Sequence, residues 1–206
     1  MFQARLWSGA WRHLFVLSCA RFIRPANVTR LAAAAVSRYT TPAAVAAALA
    51  DNKDAEEDDQ SFLSSSSPDD DDADADMIAN IESFIRIVTR IHKADLDNAE
   101  FMNLWVILVY QANLAAANSS GSDGAATELA DRLGHAQRRL LAACLLAAQV
   151  EPPLPNRFGE LLVLAQVIGS VRSETIQELF FKTTLQAAPI DSVVLDIFKK
   201  QTHAAA

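Results

Sequence analysis

The sequence predicts an all-α protein, and three observations support that fold class. Apolar residues recur at the three- and four-residue spacing of one helix face through most of the chain after residue 77. No segment shows a sustained two-residue alternation bounded by hairpin turns, which is the pattern of a half-buried strand. Apolar residues make up 51% of the 206 residues, enough for one buried core with flexible segments around it.

Residues 1–44 form the first predicted helical segment. Arginines are spread through it among many alanines and serines, and no acidic residue occurs before Asp51. This composition is also typical of a mitochondrial transit peptide, so a mitochondrial helical protein with a cleaved N-terminal segment is an alternative. The apolar run from Leu14 to Leu17 is far too short to cross a bilayer, and we expect no membrane association.

Residues 45–77 are first rich in alanine and then strongly acidic. Twelve of the 25 acidic residues lie between Asp51 and Asp76, where Lys53 is the only base. Such a segment buries too little apolar surface to offset the entropy of ordering it, so we expect a disordered insertion. The rest of the chain keeps 17 bases and 13 acids without a dense basic stripe, and direct nucleic-acid binding is therefore not expected.

Residues 78–200 form the C-terminal helical part. Its first helix has five apolar residues on one face: Ile81, Phe84, Ile85, Val88 and Ile91. The next helix starts after Asp97, where Asp97 and Glu100 have the spacing of a capping box. From Phe101 to Tyr110 this helix is apolar on nearly every side, which predicts a helix enclosed by its neighbours.

Turn residues divide the remaining helices. The sequence NSSGSDG at 118–124 predicts a loop, and a long amphipathic helix is expected from Thr127. After a proline-rich stretch, Asn156 is a candidate N-cap for the next helix, which Gly169 and Ser170 could loosen or kink. Past Pro189, a last helix has Val193, Val194, Ile197 and Phe198 on one face, and 201–206 is a tail.

The sequence contains no recognisable catalytic or metal-binding pattern. Cys19 and Cys144 are far apart and match no metal or redox spacing, so we expect free thiols. No glycine-rich phosphate loop is present. The histidines lack partners at metal-ligand or triad spacing: His13, His92, His135 and His203. We therefore expect no enzyme, no cofactor and no metal.

The C-terminal pieces RFGELLVLAQVIGS, SETIQELFFKTT and APIDSVVLDIF resemble the closing region of nuclear-receptor ligand-binding domains, most of all the tailless and photoreceptor-specific receptors. In that family the first two pieces form a long penultimate helix with the dimer seam, and the third forms the activation helix. LDNAEFMNLWVILVYQAN resembles the family's helix 7 to helix 8 junction. LWSGAWRHLFVLSCARFIRP resembles helix 5, with matches at Trp11, Leu14, Phe15 and Leu17.

Departures from that family limit what the resemblance implies. The sequence contains no cysteine-rich zinc module, and nothing in it corresponds to the helices before helix 5. His13 stands where the family usually has an acid, and Asp196 stands where many receptors have Glu. The resemblance therefore implies an incomplete nuclear-receptor ligand-binding-domain helical sandwich with the acidic segment inserted in it.

The resemblance also implies three sets of site residues. The activation helix would bind co-regulators through Val193, Val194, Asp196, Ile197 and Phe198. A dimer seam would involve Phe158, Leu161, Leu162 and Leu164. A pocket would be lined by Phe15, Ser18, Cys19, Phe22, Ile176 and Phe180. Because Phe22 is bulky, we expect the pocket to be filled and to hold no tightly bound physiological ligand.

The function implied is that of an orphan, repressive transcription regulator in the nucleus. Its partners would be transcriptional co-repressor or coactivator peptides, and a second nuclear receptor in a homodimer or heterodimer. A further alternative is an adapter without DNA-binding activity that titrates complete receptors.

Overall fold

The computed structural model describes residues 2–39, 68–148, 156–185 and 188–204, and every regular element in these ranges is helical. The all-α prediction is therefore confirmed at the level of fold class. The helices are α1 Phe2–Phe22, α2 Pro25–Val36, α3 Pro68–Lys93, α4 Asn98–Ser119, α5 Asp123–Ala147, α6 Arg157–Gly169, α7 Ser173–Ile176, a π-helical turn Gln177–Phe181, α8 Lys182–Leu185 and α9 Ile190–Ala204.

Helix α1 occupies the centre of the molecule. It packs against α3, α4, α6 and α9, while α5 lies along the far side of α4. Val16 and Leu17 of α1 are fully buried, as are Leu104 and Leu108 of α4. Helix α4 is largely enclosed, as predicted, although Met102 is 56% exposed. Which side chains of α1 are buried therefore depends on the helices that pack against it on several sides.

Helix α3 begins earlier than the sequence predicted. Residues 68–77 were expected to be disordered, but the helix starts at Pro68. The sequence offers a proline there, a residue whose fixed φ suits the first helical position. Asp76 also pairs with Arg172 at 2.7 Å. The rest of the predicted insertion, 45–67, lies outside the described residues.

The predicted capping box at the start of α4 is confirmed. The Glu100 backbone N–H donates to Oδ1 of Asp97 at 2.7 Å, and the Asp97 N–H donates to Oε2 of Glu100 at 3.2 Å. Glu100 also accepts two bonds from the Arg157 guanidinium, at 2.6 and 2.7 Å. Arg157 further donates to the carbonyl of Ala94 at 2.8 Å. This largely buried ion pair joins the first turns of α4 and α6.

One predicted helix start is wrong and another is confirmed without its predicted side-chain cap. Helix α5 begins at Asp123 and not at Thr127, because the chain reverses within Ser120–Ser122, where Gly121 has a φ of 67°. Helix α6 begins directly after Asn156, as predicted, but the Asn156 side chain makes no capping hydrogen bond, and its backbone is left-handed with a φ of 69°. Its side chain lies instead against Gly159, where a β-carbon would collide with it.

The C-terminal helices also differ from the sequence-based expectation. The two pieces expected to form one long penultimate helix are separated, because α6 ends at Gly169 and α7 begins at Ser173. The intervening turn lets Val171 enter the core. The last helix continues to Ala204, four residues beyond residue 200, where the predicted helical part ended.

Candidate functional site

Helix α9, the counterpart of the predicted activation helix, is held against α1 by its N-terminal turn. The indole Nε1 of Trp11 donates to Oδ1 of Asp191 at 2.7 Å. The backbone N–H of Ile190 donates to Oε1 of Gln177 at 3.0 Å, and Nε2 of Gln177 donates to the carbonyl of Ala188 at 3.2 Å. Ile190 is buried. These contacts attach α9 to both α1 and the π-helical turn.

The predicted co-regulator residues of α9 divide between an inner and an outer side. Val194 packs against the core, and Val193 and Phe198 are half-buried. Asp196 is exposed, and Ile197 is 50% exposed. Leu195, which lies off the apolar stripe and was not among the predicted residues, is 40% exposed. We define the outer face of α9 as Leu195, Asp196 and Ile197.

The predicted pocket region is filled by aromatic rings. The ring centroid of Phe15 is 5.1 Å from that of Phe180 and 5.7 Å from that of Phe181. Phe84 of α3 adds a fourth ring, 5.8 Å from Phe180. These edge-to-face and tilted pairs are favourable arrangements for aromatic side chains. The four rings form an aromatic cluster between α1, α3 and the π-helical turn.

Other predicted pocket residues have different positions. Ile176 and Cys19 are buried, and Ser18 is half-buried. Burial raises the pKa of the Cys19 thiol to about 12, so the thiol stays protonated. The prediction for Phe22 is wrong, because this side chain is 77% exposed. Phe22 is the last residue of α1 and lies beyond the packed part of the helix.

The predicted dimer seam is wrong for two of its four residues. Leu161 is 1% exposed and Leu164 is 3% exposed, since both point into the core of this chain. Phe158 and Leu162 are half-buried and pack against that core. The exposed apolar side chain on α6 is Val163, at 48%. Helix α5, which contacts α6, exposes Leu141, Leu145 and Leu146 at 39%, 59% and 64%.

A buried carboxylate connects the end of α2 to the π-helical turn. Glu178 lies 2.7 Å from Nη2 of Arg38 and 2.9 Å from Nζ of Lys182. Burial by itself raises the pKa of Glu178, but hydrogen bonds from Lys182, Arg38 and Tyr39 outweigh it and lower the pKa. The carboxylate is therefore ionised at neutral pH and has a structural role beside the aromatic cluster.

A second concave site lies between α1, α4, α5 and α6. This polar cleft has a volume of about 590 Å³, and its polar lining includes Arg12, His13, Gln111, Gln137, Gln166 and Ser170. His13 is only 4% exposed, and its Nε2 accepts a bond of 3.1 Å from Nε of Arg12. Its Nδ1 has no hydrogen-bond partner. The sequence pointed to this position only through the missing acid of the nuclear-receptor pattern.

The electrostatics of His13 follow from this position. Burial and the adjacent Arg12 lower its pKa to about 4, while the backbone of Gly169 acts in the opposite direction. The imidazole is therefore neutral at physiological pH. His92 and His135 lie at exposed positions, as predicted.

Within the described ranges, no group of three or more His, Cys, Asp or Glu residues could hold a metal ion. The same part of the chain has no helix with both the length and the hydrophobicity needed to cross a bilayer. No protein-family model matches the sequence.

Proposed function

We propose that this chain is the regulatory part of a nuclear-receptor-type transcription regulator, which binds helical co-regulator peptides through α9 and forms dimers. The observation that carries the proposal is the position of α9. Trp11 of α1 holds its N-terminal turn through Asp191 and Val194 packs against the core, while Leu195 and Ile197 remain exposed on its outer face beside Asp196. A terminal helix with a second apolar surface is suited to pack against a partner helix.

The chemistry of the outer face suits a short amphipathic peptide helix. Leu195 and Ile197 offer apolar contact area to leucine side chains of such a peptide. The first amides of a peptide helix carry partial positive charge and lack intrahelical acceptors, so the exposed Asp196 carboxylate can accept their hydrogen bonds. Asp196 and Ile197 are also among the co-regulator positions implied by the family resemblance, whereas Leu195 is not.

Two features of α1 favour this proposal over a mitochondrial protein with a cleaved presequence. Val16 and Leu17 are fully buried in the core, and Trp11 holds α9. Removing α1 would expose the surfaces of α3, α4 and α9 that it now covers. Tagging each end of the chain in cells tests this point. Loss of the N-terminal tag with a mitochondrial C-terminal tag would contradict the nuclear proposal.

Peptide binding tests the co-regulator proposal directly. Fluorescence anisotropy with labelled Leu-rich coactivator and co-repressor helix peptides should detect binding to the full chain. Because anchor side chains contribute most at helix interfaces, Ile197→Ala should weaken binding by roughly tenfold. Lys200→Ala, an exposed change on the same helix, is the matched control and should bind normally. Failure of every peptide, or equal binding by both variants, would reject the proposal.

Phe198→Ala separates binding from folding in the same assay. Phe198 is half-buried, so its removal should lower peptide affinity more than helicity or thermal stability. A parallel loss of circular dichroism and peptide binding would assign Phe198 to packing alone.

Dimer formation is proposed at α6 and the adjoining end of α5. Val163 and Leu145 are exposed apolar residues on two helices that contact each other. Val163→Asp should shift the sedimentation profile toward monomer, because a charge would be buried at the interface. Arg86→Asp, on the exposed side of α3, is a charge-changing control. A protein that remains a strict monomer at high concentration would contradict the dimer proposal. It would also argue against pairing with complete receptors through this surface.

A further inference from the structure

The π-helical turn contains two consecutive residues whose side chains bond to different helices. Gln177 bonds to the start of α9, where it accepts from the Ile190 N–H at 3.0 Å and donates to the Ala188 carbonyl at 3.2 Å. Glu178 bonds instead to Arg38, just beyond the end of α2. One turn of the chain therefore connects α2 to α9, the helix with the proposed co-regulator residues.

Arg38 contacts both the side chain and the backbone of Glu178. Its Nη2 and Nε donate to the carboxylate at 2.7 and 3.1 Å, and Nη2 also donates to the Glu178 carbonyl at 3.1 Å. Lys182 adds one bond to the same carboxylate oxygen, at 2.9 Å. Because Arg38 bonds to a main-chain oxygen, it stabilises the backbone of the turn as well as the side chain of Glu178.

The backbone of this turn determines where Gln177 points. π-helical turns are rare and occur mostly as single turns within α-helices. Such a turn contains more residues than an α-helical turn, in which each residue rotates the chain by about 100°. Phe180 packs against Phe15 and Phe84, which fixes the side of the turn that faces the core. Relaxation to an α-helix would therefore rotate Gln177 away from the start of α9.

We propose that Arg38 is a positioning residue for α9. It holds the backbone of the π-helical turn through Glu178, and the turn directs the Gln177 side chain to the start of α9. Trp11 holds α9 from α1 by a separate bond, so the helix has two attachments. The positioning of α9 follows from these contacts alone, and only its effect on peptide binding rests on the proposed co-regulator function.

Hydrogen exchange of the full chain, followed by mass spectrometry, tests this role. Arg38→Met removes all three bonds and keeps a long side chain. Amides of α9 should exchange about three- to tenfold faster, because hydrogen bonds to a charged group are lost at a partly exposed site. Amides of α4 should stay protected. Arg30→Met, the same substitution at an exposed position of α2, is the matched control and should leave α9 unchanged. Unchanged exchange in α9 of Arg38→Met, or equal acceleration throughout the chain, would overturn the proposal.

A double variant tests whether Arg38 acts through Gln177. Gln177→Met removes both bonds to the start of α9 and should also accelerate exchange there. If the two residues act in series, adding Arg38→Met should accelerate exchange in α9 no further, since the bonds that Arg38 supports are already absent. Additive effects would show independent routes to α9 and would overturn the proposal.

Arg38→Lys is a milder variant that decides the question if Arg38→Met does not fold. It keeps a positive charge near Glu178, but an ammonium group lacks the planar fork that bonds to both the carboxylate and the carbonyl. Exchange in α9 should rise by about two- to threefold over the unaltered chain, because one of the bonds is retained. No rise in α9 would overturn the proposal.

Peptide affinity in these variants distinguishes failure of this proposal from failure of the co-regulator function. Faster exchange in α9 together with lower peptide affinity is the result expected if both are correct. Faster exchange in α9, with no peptide bound even by the unaltered chain, would support the positioning role and reject the co-regulator function. Unchanged exchange in α9 would overturn the positioning role whatever the affinity.

Discussion

The two sides of α1 differ in how completely their polar and apolar groups are matched. On one side, Trp11 donates to Asp191 and Phe15 packs within the aromatic cluster. On the other side, two residues along from Trp11, His13 has a buried Nδ1 without a partner. The difference comes from the facing helices. A carboxylate of α9 lies opposite Trp11, whereas the polar cleft beside His13 contains the Arg12 guanidinium and no carboxylate.

This contrast separates groups whose hydrogen bonds hold the fold together from a buried group whose hydrogen-bonding capacity is not met. Matched groups are expected to contribute to stability, and an unmatched buried donor lowers stability until something accepts its hydrogen bond. Sites that bind or react are where natural proteins depart from complete matching. Substitutions on the two sides of α1 should therefore change different properties.

The largest loss of stability should come from removing a ring of the aromatic cluster, on the side of α1 where Phe15 packs. Phe84→Ala removes a ring that is 1% exposed and contacts Phe180, and it should lower the free energy of unfolding by about 3–5 kcal/mol. Phe22→Ala is the control, because that ring is 77% exposed and its loss should change little. Urea denaturation followed by circular dichroism measures both. Similar losses in the two variants would contradict the arrangement of the aromatic cluster.

A slightly smaller effect is expected where α4 meets α6. Arg157→Met leaves the Glu100 carboxylate buried without its partner and should cost about 3 kcal/mol. Adding Glu100→Gln should recover part of the loss, because Gln can still accept the Asp97 N–H while removing the unpaired charge. Thermal unfolding of the single and double variants measures this coupling. A double variant less stable than Arg157→Met would show that the capping role outweighs the ion pair.

The stability of the protein in mild acid should test the burial of His13, on the other side of α1. The pKa of His13 is lowered from 6.5 to about 4, so the unfolded chain binds a proton more readily than the folded chain between these values. Stability is therefore lost as pH falls below 6.5, by about 2 kcal/mol from His13 between pH 7 and pH 5. His13→Asn should remove this part of the pH dependence. Equal slopes for both proteins in that range would contradict the burial of His13.

Glu178 titrates below pH 4.5, so it does not contribute to the change in stability measured between pH 7 and pH 5. Its folded pKa is lowered below the usual 4.5, so its contribution is complete above that value and is lost as pH falls through the lowered pKa. The acid sensitivity of the contacts of Glu178 with Arg38 and Lys182 therefore belongs below about pH 4.5.

Local patterns in the sequence could predict the helices, but not which neighbours cover them. The capping box of Asp97 and Glu100 depends on residues three apart, and it formed as predicted. Leu161 and Leu164 lie on a helix that is apolar on more than one side, and periodicity alone does not say which side meets the core. Phe22 is exposed because the packing around α1 ends before it, which no spacing within α1 reveals.

The candidate sites depended even more on distant parts of the chain. Trp11 and Asp191 are 180 residues apart, and their hydrogen bond exists because α9 returns to α1. The unpaired Nδ1 of His13 likewise results from what four helices fail to place beside it. Side-chain partners across such separations depend on the tertiary structure. Periodicity and spacing in a single sequence do not reveal which distant residues come into contact.

The smallest effect should come from loosening the docked end of α9. Trp11→Phe keeps an aromatic ring beside Phe15 but removes the donor to Asp191, and because Asp191 is exposed, the cost should be about 1 kcal/mol. Hydrogen exchange should become faster in α9 while α4 stays protected. Asp191→Asn, which keeps an acceptor, is the control and should exchange more slowly than Trp11→Phe. Faster exchange throughout the chain would mean that α9 belongs to the cooperative core, whereas an effect confined to α9 would establish a helix that can undock separately, as a co-regulator switch requires.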